Sequence, residues 1–214
     1  VTRAGIPFVV SAPSGTGKTT VCRRVVAEDG GVEFSISHTT RAMRAGEVHG
    51  RDYFFTPRPE FERLIAAGEF VEWAEYAGNL YGTSFGSLDA PLGQGRDLLL
   101  EVEVQGARQL RARRRDARFI FLLPPSRAEL ERRLRGRGTD SPEAIARRLA
   151  AVDDELRAVS VFDYAVVNED LERAVHAVHE IIAAERSGDT TTARQRWGRD
   201  VTLARIASVL PIPD

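Results

Sequence analysis

Short, continuous apolar runs alternate along this chain with stretches of helical period. Residues 6–11 (IPFVVS), 97–104 (DLLLEVEV), 118–123 (RFIFLL) and 163–167 (DYAVV) each read as a strand buried on both faces. Residues 18–28, 105–115, 126–135, 142–159 and 169–185 read as helices between or after them, with Val21, Val25 and Val26 on the inner side of the first. Strands alternating with helices predict an α/β fold: a parallel-sheet core with helices on both faces.

Two segments interrupt the alternation. Residues 38–87 are richer in glycine, aromatics and short β-like runs (DYFF, EFVEWAEY, NLYGTSF), with one helix near 58–67, and read as an inserted mixed α/β subdomain. Residues 124–150 form a Pro-started, Arg-dense stretch broken at RGRGTDSPE by Gly136, Gly138 and Pro142, and read as a helical lid. The expected division is a core of 1–37, 88–123 and 151–186, a subdomain of 38–87, a lid of 124–150, and a tail of 187–214. In the tail a helix carrying Trp197, Val201 and Ile206 fits the pattern, with no chemistry evident.

Composition narrows the field. Of 214 residues, 43% are apolar and 29% charged, enough for a sizeable core and against global disorder. The formal charge of −1 gives no excess of cations for nucleic acid or an anionic membrane. The run RQLRARRRDAR, 108–118, lies on an expected helix and reads as a solvated face. One cysteine, Cys22, excludes an intrachain disulfide or a multi-cysteine zinc site and reads as a core residue. His38, His49, His176 and His179 form no metal-ligand pattern. No apolar run approaches the roughly 20 residues that span a bilayer, and the start VTRAGIPFVV lacks the order of a signal peptide. A soluble cytoplasmic protein is the expectation, with monomer or homo-oligomer left open.

The 30 basic side chains are 29 arginines and one lysine, Lys18. Where a compact ammonium on a flexible stem is needed, the guanidinium fork is a poor substitute. Lys18 sits in APSGTGKT, between the first expected strand and helix. The stretch Ala12, Pro13, Ser14, Gly15, Thr16, Gly17, Lys18, Thr19 fits G-x-x-x-x-G-K-[ST], with Ala12 in the first glycine position and Thr20 following. Gly15 and Gly17 let the backbone curl so that successive N–H groups point at phosphate oxygens, and the helix N-terminus adds its dipole. Lys18 reaches the β- and γ-phosphates, and the Thr19 hydroxyl suits Mg²⁺. A nucleoside triphosphate site follows.

The inserted segment points to a second ligand. Arg41 and Arg44, three apart near a Gly-rich turn, and Tyr53 after them can converge on one phosphate. Glu72 stands in an otherwise apolar strand beside Trp73, followed by Tyr81 and Thr83. A carboxylate there must accept hydrogen bonds. The guanine edge offers N1–H and N2–H₂ as paired donors, whereas adenine presents an acceptor at N1. Glu101 and Glu103, two apart in an expected strand, fall on one face at the carboxyl edge of the sheet. One can help hold Mg²⁺ through water and the other the incoming nucleotide.

Taken together, SHTTRAMRAGEVHGRDYFF, GEFVEWAEYAGNLYGTS, LLLEVEVQGA, FIFLLPPS, RLRGRGTD, IARRL and VVNEDL resemble the guanylate kinases, in that family's order, from about Phe8 to Ile182. The resemblance implies a P-loop fold and Mg²⁺-dependent transfer of the ATP γ-phosphoryl group to GMP, and to dGMP, in purine nucleotide metabolism. It implies a GMP set of Ser37, Arg41, Arg44, Tyr53, Glu72, Tyr81, Thr83 and Glu101. Of these, Arg41, Arg44, Tyr53 and Tyr81 would hold the phosphate and the others the base. Arg133, Arg137 and Arg148 match the lid and transfer-site arginines, which with Lys18 would be catalytic, and Asn168 lies where adenine is approached. Thr19 and Glu103, the latter through water, would serve the metal. Ala12 departs from the family's usual glycine, Glu103 stands where aspartate is common, and the tail after about Arg186 has no matching motif.

Two competing readings differ in what they require. Another monophosphate kinase, or a sugar phosphate kinase on a similar core, would not need the carboxylates Glu72 and Glu101. Guanylate-kinase-like scaffold domains that bind phosphorylated partners usually lack a working P-loop and lid arginines, whereas Gly17, Lys18, Thr19, Arg137 and Arg148 are present here.

Overall fold

The computed structural model describes residues 3–76, 78–136 and 142–212. Its first sheet has five parallel strands in the order β2-β7-β1-β8-β9. Strand β1 (Pro7–Ser11) is central, flanked by β7 (Asp97–Glu101) and β8 (Arg118–Leu123), with β2 (Val32–Phe34) and β9 (Tyr164–Val167) at the edges. Alternation along the strands supplies two cores. Val9 lies in register with Leu100 and Phe119 and packs on the face covered by α3 (Phe85–Gly93), α4 (Val104–Arg113), α5 (Arg127–Gly136) and α6 (Pro142–Arg157). Phe8, Val10, Ile120 and Leu122 point the other way, against α1 (Lys18–Glu28) and α7 (Leu171–Ser187). Both faces are dry, which is why these strands read as unbroken apolar runs.

A second sheet, ordered β4-β3-β6-β5, comes from the inserted segment: β3 (His38–Thr39), β4 (Phe54–Phe55), β5 (Phe70–Tyr76) and β6 (Asn79–Ser84). Helix α2 (Arg58–Ala66) closes a small core of Phe61, Phe70 and Leu80, in which the Phe61 and Phe70 rings stack at 4.4 Å. Pairing of β5 with β6 shifts by one residue between Phe70 and Glu72. Phe70 therefore stays in the small core while Val71 is buried in the main one, and Glu72 is turned toward α4.

Several expectations need correction. The strand expected over 97–104 ends at Glu101, because the chain turns there into α4; Glu103 stands at that helix's N-cap position, its carboxylate on Lys18, rather than sharing a strand face with Glu101. Strand β2 and helix α3 were not evident in the pattern, one being only three residues long and the other containing Pro91. The helix expected to reach residue 159 stops at Arg157 and tightens into a 3-10 turn, Ala158–Val161. The break expected after Gly136 falls at 137–141, outside the described residues.

The run 108–118 is not a simple solvated face. Gln109 clasps the Trp73 backbone twice, its Nε2 donating to the carbonyl at 2.8 Å and its Oε1 accepting from the N–H at 3.2 Å. Arg113 donates to the carbonyls of Phe70 and Val71. Arg111 donates to the Val161 carbonyl and lies over the Phe119 ring. Polar side chains of α4 thus act as the neighbour that strand β5 lacks on its outer edge.

The tail forms two helices rather than one, α8 (Thr191–Trp197) and α9 (Arg199–Ile206), parted at Gly198. Gly198 bridges to Tyr164, and the buried Thr202 hydroxyl donates to the Ala165 carbonyl at 2.9 Å, so the tail covers the β9 edge.

Candidate active site

The loop from Ala12 to Thr19 leaves the carboxyl end of the central strand and enters α1 at Lys18. Gly15 and Gly17 hold φ angles of 90° and 98°, a region L side chains rarely occupy. Ala12 is buried in the α1-side core, so the methyl at the first glycine position fills packing space there. Thr16 is fully buried, and its carbonyl accepts from Asn168 Nδ2 at 2.7 Å and from an Arg133 amino group at 3.2 Å. A Cβ on Gly17 would come within 2.8 Å of that Asn168 nitrogen, so the loop and the residue after β9 fit closely.

Lys18 is poised rather than loose. Its ammonium donates to the Val102 carbonyl at 2.8 Å and to Glu103 Oε1 at 3.0 Å. The Thr19 hydroxyl donates to Glu101 Oε1. The loop thus meets both glutamates of the EVE sequence, Glu101 through Thr19 and Glu103 through Lys18. Thr20 is exposed in the first turn of α1.

Across the carboxyl edge, the second sheet assembles three of the expected base-binding residues. Thr83 lies opposite Glu72 in the β5–β6 pairing, and its hydroxyl donates to Glu72 Oε1 at 2.6 Å. The Ser37 hydroxyl lies 3.2 Å from that of Thr83. Glu72 is only 6% exposed, and burial pushes its carboxyl up to about 7 against the pull of the Thr83 hydrogen bonds. Room for it depends on Gly106 in α4, where a Cβ would sit 2.6 Å from Glu72 Oε2.

Arg41, Tyr53 and Tyr81 form a neighbouring group. The Arg41 guanidinium lies 5.5 Å from the Tyr53 ring centre, and the two tyrosine rings are 6.2 Å apart. Burial raises the Tyr53 phenol above its ordinary range, and the Glu101 carboxylate adds to that. Glu101, which takes the Thr19 hydroxyl, is thus also within electrostatic reach of Tyr53. Arg44 is exposed in the turn.

Glu47 and Glu155 escaped the sequence reading. Glu47 takes the Arg41 fork with both oxygens, at 2.7 and 3.1 Å, and accepts the Arg44 N–H at 2.7 Å. Its offset of six from Arg41, inside a glycine turn, was the available signal. Glu155 accepts the Ser14 N–H at 3.0 Å from 141 positions away, and no local pattern announces it. Among the expected lid arginines, Arg133 lies on α5 with its Nε on Glu129, whose carboxyl Arg132 and Arg133 pull down to about 2. Arg137 and the side chain of Arg148 lie outside the described residues.

A family model described as guanylate kinase matches residues 4–185. The chain belongs to the guanylate kinase family. A guanylate kinase of Geobacter sulfurreducens is 48% identical over 184 residues, covering 86% of this chain and 91% of that one. One from Nitratidesulfovibrio vulgaris is 55% identical over 172 residues, covering 80% and 83%. The crystal structure of guanylate kinase from Anaplasma phagocytophilum is similar in fold, with a TM-score of 0.67 at 32% identity, covering 94% of this chain and 95% of that one. The family match ends at residue 185, ahead of α8 and α9.

For a guanylate kinase, the oxygen donors here are of the right kind for Mg²⁺. Among the described residues no cluster of three or more His, Cys, Asp or Glu side chains could cage a metal alone. Mg²⁺ asks for less, being held by one or two protein oxygens with substrate phosphates and water. The paired Thr19 hydroxyl and Glu101 carboxylate, with Glu103 beside Lys18, fit that demand. No helix among the described residues is long and apolar enough to cross a membrane.

Proposed function

We propose that the protein transfers the γ-phosphoryl group of ATP to GMP, and to dGMP, giving ADP and the guanosine diphosphate. The observation that carries this reading is the buried Glu72 carboxylate, held by Thr83 and packed against Gly106 of α4, the helix that follows the Glu101 and Glu103 carboxylates met by Thr19 and Lys18 of the phosphate loop. Family membership supports a monophosphate kinase, and the carboxylate supports guanine as the base.

In this reading, the loop N–H groups and Lys18 bind the triphosphate, and Lys18 exchanges Glu103 for phosphate oxygens. Thr19, Glu101 and Glu103 would hold Mg²⁺, which would supply charge neutralisation for the phosphates. Glu72, Thr83 and Ser37 accept from the guanine edge. Arg41, Arg44, Tyr53 and Tyr81 orient the GMP phosphate, with Arg41 exchanging Glu47 for it. An oxygen of that phosphate attacks the γ-phosphorus, and the bond to the β–γ bridging oxygen breaks, releasing ADP. GMP brings its own nucleophile, so no protein base is needed; alignment and charge stabilisation are the task. Arg133, with Arg137 and Arg148, is assigned to the charge on the transferring group, and Asn168 to the adenine side.

Chromatographic analysis of a reaction containing ATP, Mg²⁺ and GMP tests the proposal. GDP and ADP should appear in equal amounts; ADP with free phosphate and no GDP would make the protein an ATPase instead.

A further inference from the structure

The phosphate loop is gripped at three consecutive residues by groups from outside it. At Ser14 the backbone N–H donates to Glu155 Oε2. At Gly15 the left-handed backbone runs so close to α5 that a Cβ would come within 2.8 Å of Leu134 Cδ2. At Thr16 the carbonyl takes Asn168 and Arg133.

The contact at Ser14 is the unexpected one, since it puts a carboxylate beside a loop that must receive a polyanion. Glu155 is not a loose surface side chain. Val152 and Leu156, flanking it on α6, are 2% and 0% exposed in the same core as Leu130 and Leu134 of α5. The turn of helix that carries Glu155 is therefore fixed against the sheet, and the half-buried carboxylate is delivered to Ser14 from a rigid support. A carboxylate accepting a backbone N–H makes a charge-assisted bond, about twice as strong as a neutral one. Between Pro13, whose φ is preset, and Gly15, whose backbone is free, Ser14 is where an outside acceptor best restricts the loop.

We propose that Glu155 is a positioning residue of the nucleotide site: by holding the Ser14 N–H it keeps the entry to the phosphate loop in shape before the triphosphate of ATP arrives. This rests on the reading of the loop as the ATP site, and is independent of GMP as acceptor. The opposite role, a carboxylate that competes with phosphate for the loop, differs in sign and can be told apart.

The test is ATP binding to the full chain by calorimetry, with KM values for ATP and GMP, in the unmodified protein, Glu155→Ala and Glu155→Gln. Glu155→Ala should weaken ATP about tenfold, the loss of one charge-assisted bond, with the KM for GMP within twofold. Glu155→Gln keeps an acceptor oxygen and should recover most of the ATP affinity. Should Glu155→Ala fail to fold, exchange of the Ser14 amide in Glu155→Gln, slow in the ligand-free protein, carries the same test. Unchanged ATP affinity in Glu155→Ala, equal losses in both variants, or tighter ATP binding by Glu155→Gln would overturn the proposal. The expected ATP pattern in a protein that phosphorylates no GMP would support Glu155 and overturn only the acceptor.

Discussion

Thr83 and Glu72 face each other across two antiparallel strands, and the threonine hydroxyl donates to the carboxylate at 2.6 Å. The partner is neutral, so burial dominates and the carboxyl is raised from 4.5 to about 7. A carboxyl so raised keeps its proton longer in the folded chain than in the unfolded one, so the folded state loses stability as pH rises from about 4.5 to about 7. In the proposed base site guanine donors would need the ionised form, and their binding would reverse that loss. GMP affinity should therefore rise roughly tenfold between pH 6 and pH 8. In Glu72→Gln that step should vanish, leaving only the shallower effect of GMP's own phosphate. Calorimetry across pH in both proteins checks it.

Gly106 leaves the space that Glu72 fills. In Gly106→Ala the new methyl would meet Glu72 Oε2 at 2.6 Å, closer than carbon and oxygen can approach, so the carboxylate must move. KM for GMP should rise about tenfold, one misplaced charged hydrogen bond, while KM for ATP stays within twofold. Steady-state kinetics with each substrate varied in turn separates the two.

Lys18 is the only lysine, and its ammonium is already aimed along the loop by Val102 and Glu103. Lys18→Ala should lower kcat by about 10²–10³ with an unchanged melting temperature. Lys18→Arg should recover little, because the planar fork cannot occupy the position of the compact ammonium.

The tail makes a separate, structural prediction. Deleting residues 189–214 removes Ile206 and Leu210, 7% and 0% exposed, and uncovers the β9 edge that Thr202 now caps. Loss of two such side chains costs roughly 4 kcal/mol. The truncated chain should melt at lower temperature and self-associate, with both KM values near those of the full chain. Scanning calorimetry and light scattering check this.

Much of this was legible in the residues because it is local. Phe8 to Ser11, the glycines at 15 and 17, and Lys18 lie within eleven positions, and each obeys a backbone or burial rule that acts at short range. The apolar runs at 97–101 and 118–123 were legible for the same reason. What escaped is long-range. Glu155 reaches Ser14, and Gln109 reaches Trp73, only once α4 and α6 are packed. Charge pattern misled at 108–118, where Arg111 and Arg113 satisfy carbonyls of other elements rather than water. The two tail helices part at Gly198 because that residue bridges to β9, a partner its own neighbours do not reveal.

A buried carboxylate that chooses guanine for a lysine-bearing phosphate loop must show itself in the choice of acceptor. The decisive quantity is kcat/KM for GMP and for AMP under saturating ATP and Mg²⁺. GMP should be favoured by about 10⁴, the discrimination available when a wrong base leaves buried polar groups unpaired. Equal values for the two acceptors would mean that Glu72 does not select the base.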